Sequence, residues 1–260
     1  MFSFALGYKV VMKEYTDVVY NRFNKENEAT TSIYSAYHPI GRYSRKILFK
    51  GLNKILADFE ANKKPLSEIM LLDVGCGRGG MIEYFISKGF QPANCYGVDL
   101  SVTRFSKAKQ QFPEVNFICG DALDQHFTTL QFDLITSFDL YSHFTTTEQI
   151  LKGLQNANKS LAENGTFLWY DIYSKDHFKA PINSESWGFN LQQMKELAKA
   201  AGFEVISTQP FFKKFFGRYH SIYQAHRIPS SVLQLLESIL PGTPGNILLV
   251  LKKKKMINPF

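Results

Sequence analysis

The stretch LLDVGCGRGG, Leu71 to Gly80, reads as a short strand of apolar residues delivered into a glycine turn. Its glycines fit two spacings at once. Gly75, Gly77 and Gly80 satisfy G-x-G-x-x-G, while Gly75, Gly77 and Gly79 satisfy G-x-G-x-G. Either way, a turn between a strand and a helix brings backbone N–H groups and open space up to a ligand. The turn therefore marks a binding edge and leaves the ligand to be decided by residues elsewhere.

Working outward, the chain changes period at this point. Upstream, Ile47, Leu48, Leu52, Ile55 and Leu56 recur at helical spacing in RYSRKILFKGLNKILADFEA, which ends at Lys63, Lys64 and Pro65. From Ile69 on, IMLLDV, NCYGVD, VNFICG, FDLITS and GTFLWYDI are short apolar runs bounded by turn residues. Segments of helical length separate most of them: GGMIEYFISKG, SVTRFSKAKQQF and TTTEQILKGLQNANKSLAEN. Apolar strands alternating with helices predict a parallel sheet covered on both faces, an α/β doubly wound fold. A helix LQQMKELAKAAGF with Gly202 as its stop, a strand FEVISTQPFF, a helix SSVLQLLESIL and a last strand NILLVLKK complete the pattern.

Composition narrows the classes. The chain has 260 residues, 45% of them hydrophobic, enough for one α/β domain with an appended cap. Four of its net +7 charges are Lys252 to Lys255, and removing those four leaves +3. That modest body charge argues against a nucleic-acid partner. Cys76, Cys95 and Cys119 form no C-x-x-C pair, which suits a reducing cytoplasm and small buried side chains. The six histidines show no metal-ligand spacing, so no metal is expected. The opening MFSFALGYKVVMKEY lacks the pattern of a signal peptide, and Met12 could serve as the start. No apolar run is long enough to span a bilayer.

The ligand is chosen by acids. Asp73 stands two residues before the first glycine, Asp99 ends the second strand, and Asp121 follows the third. A carboxylate at Asp73 would repel a pyrophosphate but suits a cationic amino-acid group. Asp99 is placed to accept from ribose hydroxyls, and Asp121 from an exocyclic amine. Three acids on one edge describe a site for a nucleoside without phosphates, and S-adenosylmethionine is such a ligand. The rival is a nicotinamide dinucleotide, which leaves Asp73 and Asp121 unexplained.

In this order and spacing, LLDVGCGRGG, YGVDLS, CGDAL, FDLITSFDLYSHF and LAENGTFLWYDI resemble the class I S-adenosylmethionine-dependent methyltransferases. Short strings, PANCYGVDLS and LWYD, also look like a bacterial glycan or small-molecule subgroup. The resemblance implies a Rossmann-like sheet of seven strands whose last strand is antiparallel. It implies Gly75, Cys76 and Gly77 against the methionine portion, Asp99 and Leu100 at the ribose, Asp121 and Ala122 at the adenine, and Ser137 near the sulfonium. It also implies methyl transfer to a small-molecule or glycan acceptor at oxygen or nitrogen, leaving S-adenosylhomocysteine. The SFDLYSH string departs from the Asn-Pro-Pro-Tyr type of nucleobase amino-methylases. His143 and Asp171, beyond the fourth and fifth strands, are the candidate general bases. A non-catalytic module that only binds the donor is the alternative.

The expected organisation is an N-terminal lid or cap over 1–65, a methyltransferase domain over 66–252 with a cap-like insertion at 213–244, and a basic tail at 253–260. Tyr15, Tyr20, Tyr34, Tyr37 and His38 of the leader could close over the donor. KKFFGRYHSIYQAHR (213–227) could recognise an acceptor, touch a membrane surface or cover the sheet edge, and a cap is preferred.

Overall fold

The computed structural model describes residues 39–62, 64–124, 129–176, 188–213, 229–239 and 241–254. The leader tyrosines, most of the 213–227 segment and the end of the tail lie outside the described residues, as do all histidines except His143.

In chain order the elements are α1 (Pro39–Asn62), β1 (Leu71–Val74), α2 (Gly80–Ser87), β2 (Cys95–Asp99), α3 (Val102–Gln111), β3 (Asn116–Cys119) and β4 (Phe132–Phe138), then α4 (Thr147–Ser160), β5 (Leu161–Ile172), α5 (Leu191–Ala200), β6 (Phe203–Lys213), α6 (Ser230–Ile239) and β7 (Pro244–Lys253). The seven strands form one sheet in the order β3-β2-β1-β4-β5-β7-β6. The pairs β1–β2, β1–β4, β2–β3 and β4–β5 are parallel, and β7 runs antiparallel to both β5 and β6. The antiparallel last strand is the one the sequence resemblance implies.

Consecutive strand residues feed opposite faces, as the two-residue period requires. Leu72, Ile135, Phe167, Trp169 and Leu249 pack with Ile150 and Leu154 of α4 and with Met194 and Ala198 of α5. Their neighbours Leu71, Leu134, Leu168, Tyr170 and Leu248 pack on the other face with Leu48, Leu52, Leu56 and Phe59 of α1, and with Ile82 and Phe85 of α2. Covering both faces explains why the strands read as unbroken apolar runs. Helix α1, grouped by sequence with the leader, is thereby part of the core. Helix α6 buries Leu233, and Glu237 accepts a hydrogen bond from the Tyr43 hydroxyl of α1.

Two expectations change. The fifth strand begins before GTFLWYDI: β5 also takes in Leu161 to Asn164, with Phe132 paired to Leu161 and Leu134 to Thr166, so the intervening residues are carried as an irregularity. Cys119 is exposed, whereas Cys76 and Cys95 are buried as expected. The reason is position, since Cys119 ends β3, the outermost strand of that half of the sheet.

Candidate functional site

The strand order reverses between β1 and β4, and the carboxyl ends of the parallel strands meet there. Such a switch point opens a crevice in which ligands bind. Gly75, Gly77 and Gly79 all have positive φ, at 77°, 56° and 82°, and Gly80 does not. Gly79 is the N-cap of α2 and Gly80 its first residue. The G-x-G-x-G spacing is therefore the one the backbone uses. Side chains rarely tolerate these angles. At Gly75 a Cβ would also come within 2.9 Å of Leu140, while at Gly77 it would meet nothing within 4 Å.

Asp99 ties this turn to the next one. Its Oδ2 accepts the Gly77 N–H at 2.8 Å, and its Oδ1 accepts the Ser101 N–H at 2.8 Å. Ser101, not Asp99, caps α3, its side chain accepting from the Arg104 N–H. Asp99 is only half-buried. Each carboxylate oxygen thus keeps a lone pair for a ligand while the backbone fixes its direction.

Asp73 lies deeper. It is 2% exposed, and Thr136 of β4 donates its hydroxyl to Oδ1 at 2.7 Å. Burial pushes its pKa up to about 7; the Thr136 hydroxyl opposes this and the Asp99 charge adds to it. Gly75 and Cys76 both donate their N–H groups to the Val98 carbonyl. The Cys76 sulfur points into the core against Gly97, so Cys76 can offer a ligand only its backbone. Burial holds its thiol well above the usual range.

Asp121 is half-buried and accepts the Leu123 N–H at 2.9 Å. Burial raises its pKa, against the pull of that hydrogen bond. Asn156 of α4 donates to the Ala122 carbonyl at 3.1 Å, fixing the same loop. Leu100 is half-buried between the two acids in sequence. These residues form one contiguous half of the edge, over β1, β2 and β3.

The other half, over β4 and β5, departs more from expectation. Ser137 is fully buried in β4, in register with Trp169, and its hydroxyl has no partner among the described residues. His143 is half-buried in a 3-10 turn, Tyr141–His143. The turn runs into α4, which opens with a capping box between Thr146 and Gln149. Asp171 is completely enclosed. Its Oδ2 accepts the Ser142 N–H and the Trp169 indole N–H, each at 3.2 Å, and its Oδ1 accepts the Ile172 N–H at 3.0 Å. Burial still raises its pKa, to about 6, against those hydrogen bonds. A carboxylate held by three N–H groups inside the fold fixes the His143 turn and cannot approach an acceptor without leaving its donors.

Asp139, which the sequence pattern alone does not single out, is an exposed acid directly at the end of β4. It is the one non-glycine with positive φ among the described residues, at 52°. Its N–H donates to the Tyr170 carbonyl of β5 at 2.9 Å, and Asn246 of β7 donates to its Oδ1 at 2.7 Å. Protein packed beneath its carboxyl, and then the Asp171 charge, raise its pKa, with Asn246 opposing. Non-glycine residues in such conformations concentrate at functional sites. One weak signal for it lies in the sequence: an Asp directly after a buried strand, where Asp and Asn tolerate left-handed backbone.

Comparison with known proteins fits this geometry. Residues 71–165 match the family model described as a methyltransferase domain, a span that takes in the glycine turn, Asp99, Asp121 and the His143 turn. Over these residues the chain is similar to methyltransferase domains. It is 29% identical over 194 residues to malonyl-[acyl-carrier protein] O-methyltransferase of Priestia megaterium, covering 69% of this chain and 66% of that protein. It is 37% identical over 101 residues to a probable chloroplastic tocopherol O-methyltransferase of Oryza sativa subsp. japonica, covering 36% and 26%. With fatty-acid O-methyltransferase of Mycolicibacterium smegmatis the match is 27% over 161 residues, covering 60% and 53%. The chain thus spans less than two thirds of the length of each of these methyltransferases. Among solved structures, magnesium protoporphyrin IX methyltransferase from Synechocystis PCC 6803 with bound SAM superposes with TM-score 0.61 at 14% identity, covering 92% of this chain and 97% of the other. The Burkholderia thailandensis 1,6-didemethyltoxoflavin-N1-methyltransferase gives TM-score 0.61 at 17% identity, covering 94% and 90%. These two show the methyltransferase fold. Among the described residues, no helix is long and apolar enough to cross a membrane.

Proposed function

We propose that this protein transfers a methyl group from S-adenosylmethionine to an oxygen of a small-molecule acceptor. The observation that carries the reading is the Asp99 carboxylate, aimed by the Gly77 and Ser101 N–H groups beside a turn of left-handed glycines. The donor fits this cradle. Gly77 leaves space that a side chain would fill, Asp99 and Leu100 suit ribose hydroxyls, and Asp121 and Ala122 suit the adenine. The backbones of Gly75, Cys76 and Gly77, with Asp73 beneath them, suit the amino-acid portion, and Ser137 marks the strand nearest the sulfonium. When bound, the donor supplies a methyl group on a positively charged sulfur, already activated for displacement. The protein's part is to align it and exclude water. His143 lines the acceptor half, and Asp171 holds the turn that carries it.

Oxygen is preferred because the three relatives above are named O-methyltransferases. A cytoplasmic setting is part of the reading, supported by three free cysteines. Parallel calorimetric titrations with S-adenosylmethionine and NAD(H) test the donor. Binding of the former alone supports the reading, and binding of NAD(H) alone refutes it. Formation of S-adenosylhomocysteine with a metabolite extract then separates an enzyme from a module that only binds.

A further inference from the structure

The two halves of the edge differ in how their acids are used. Over β1, β2 and β3, Asp99 and Asp121 are arranged for the donor's nucleoside. The donor's reactive end must then point across the switch point toward β4 and β5, and an acceptor must enter from that side. Among the described residues at the ends of β4 and β5, Asp171, His143 and Asp139 are able to take a proton. Asp171 is sealed behind three N–H donors. His143 is half-buried in its turn. Asp139 is exposed at the strand end, and among the described residues only its Oδ1 takes a hydrogen bond, from Asn246. Its backbone is pulled toward β5 by the Tyr170 carbonyl and its side chain toward β7 by Asn246. The next residue, Leu140, lies instead over Gly75, on the donor side. The loop is split at this point, with Leu140 covering the donor turn and Asp139 facing the acceptor half.

Resting on the transfer reading above, we propose that Asp139 is the catalytic base and that the acceptor is consequently a neutral, hydroxyl-bearing molecule, a phenol or alcohol, rather than a carboxylate. In the step, the acceptor oxygen forms the new C–O bond as the methyl–sulfur bond breaks. The breaking bond's electron pair stays on sulfur, giving neutral S-adenosylhomocysteine. The hydroxyl proton passes to the Asp139 carboxylate, which returns it to water through its exposed side. A carboxylate acceptor has no proton to lose. It would also bring a negative charge up to Asp139 with Asp171 behind it, a pairing that costs free energy in a low-dielectric site. The left-handed backbone of Asp139, held from two strands, fixes the base before the acceptor arrives.

The test works whichever molecule the acceptor is. The full chain is incubated with methyl-labelled S-adenosylmethionine and a small-molecule extract of the cells that make it, and the labelled product is treated with mild alkali. Methyl ethers survive this treatment, whereas methyl esters release labelled methanol. The expected result is alkali-stable label, with transfer falling about 100-fold in Asp139→Asn while donor affinity stays within about two-fold by calorimetry. Asp139→Gly relaxes the backbone and opens the site, so added formate should restore part of its rate; a merely structural residue would not be rescued. The wild-type rate should rise with pH through a limb that Asp139→Asn lacks, with Asp171 as the titratable neighbour and Asn246 as the polar one. Labelled methanol as the main product overturns the acceptor class. Full activity in Asp139→Asn, or an equal loss of donor binding and rate, overturns the base. Wild-type protein that binds the donor yet transfers no label overturns the transfer reading itself, and this proposal with it.

Discussion

Asp73→Asn should make the protein more stable at alkaline pH while weakening its hold on S-adenosylmethionine. Asp73 is fully packed beneath the glycine turn, and its pKa is pushed from 3.8 up to about 7 by burial. Between those values the unfolded chain has released the proton and the folded one still holds it, so raising the pH drains stability. Below about pH 4 both states are protonated and the penalty is absent; above about pH 7 both are ionised and it is fully present. At about 1.4 kcal/mol for each factor of ten, the whole effect is about 4 kcal/mol. The part falling between pH 5 and pH 8 is about 3 kcal/mol. Asparagine keeps an acceptor for the Thr136 hydroxyl and carries no charge. Its buried NH2 group, if unpaired, costs about 1–3 kcal/mol, but equally at both pH values. The measurement is therefore a difference of differences: urea midpoints of variant and wild type at pH 5 and at pH 8. With a slope of about 3 kcal/mol per molar, the gap between the two proteins should change by about 1 M in the variant's favour. A gap independent of pH would refute the argument, because it would mean that Asp73 does not titrate in that range. Calorimetry at pH 8 should show weaker donor binding by the same variant, on the proposal that an ionised Asp73 favours the donor's ammonium.

Three further outcomes are expected. Asp99→Ala should weaken donor binding by about 1–3 kcal/mol through loss of a charged hydrogen bond; unchanged affinity by calorimetry would leave Asp99 a mere brace for Gly77 and Ser101. Gly97→Ala should lower the melting temperature by the equivalent of about 1–3 kcal/mol, because the new Cβ would lie 2.8 Å from Cys76 Sγ, Ile82 Cδ1 and Phe117 Cδ1; an unchanged melting temperature would mean that the core beneath the turn yields freely. Asp171→Asn should destabilise by about 1–3 kcal/mol, since an amide cannot accept from all of Ser142, Trp169 and Ile172. Its activity should keep the wild-type pH limb, and loss of that limb would transfer the role of base from Asp139 to Asp171.

The donor half of the edge is legible in the sequence because backbone requirements write themselves into residue type. Left-handed angles at Gly75, Gly77 and Gly79 need glycine, and a sheet covered on both faces needs unbroken apolar runs such as FLWY in β5. Asp99 is legible for a related reason: an acid that ends a strand beside such a turn has backbone N–H groups within reach. The bonds from Gly77 and Ser101 span only 22 and 2 residues. Cys119 is not legible in the same way, because an apolar strand pattern does not say which strand is outermost.

The acceptor half is less legible because its distinctions are made over distance. Asp139 and Asp171 look alike in sequence, each an acid at the end of an apolar strand. What separates them is the fold around them. Asp171 is closed off by a backbone N–H from 29 residues upstream and by the indole of Trp169. Asp139 is tethered by Asn246, 107 residues downstream, and stays exposed. No local pattern carries the arrival of β7 beside β5, yet that arrival brings Asn246 to the strand end where an acceptor would enter. The same antiparallel insertion that completes the sheet thus also orients the exposed acid. The two properties are therefore coupled: a substitution at Asn246 should disturb the acceptor half while leaving the Gly77–Asp99 cradle, four strands away in the sheet order, intact.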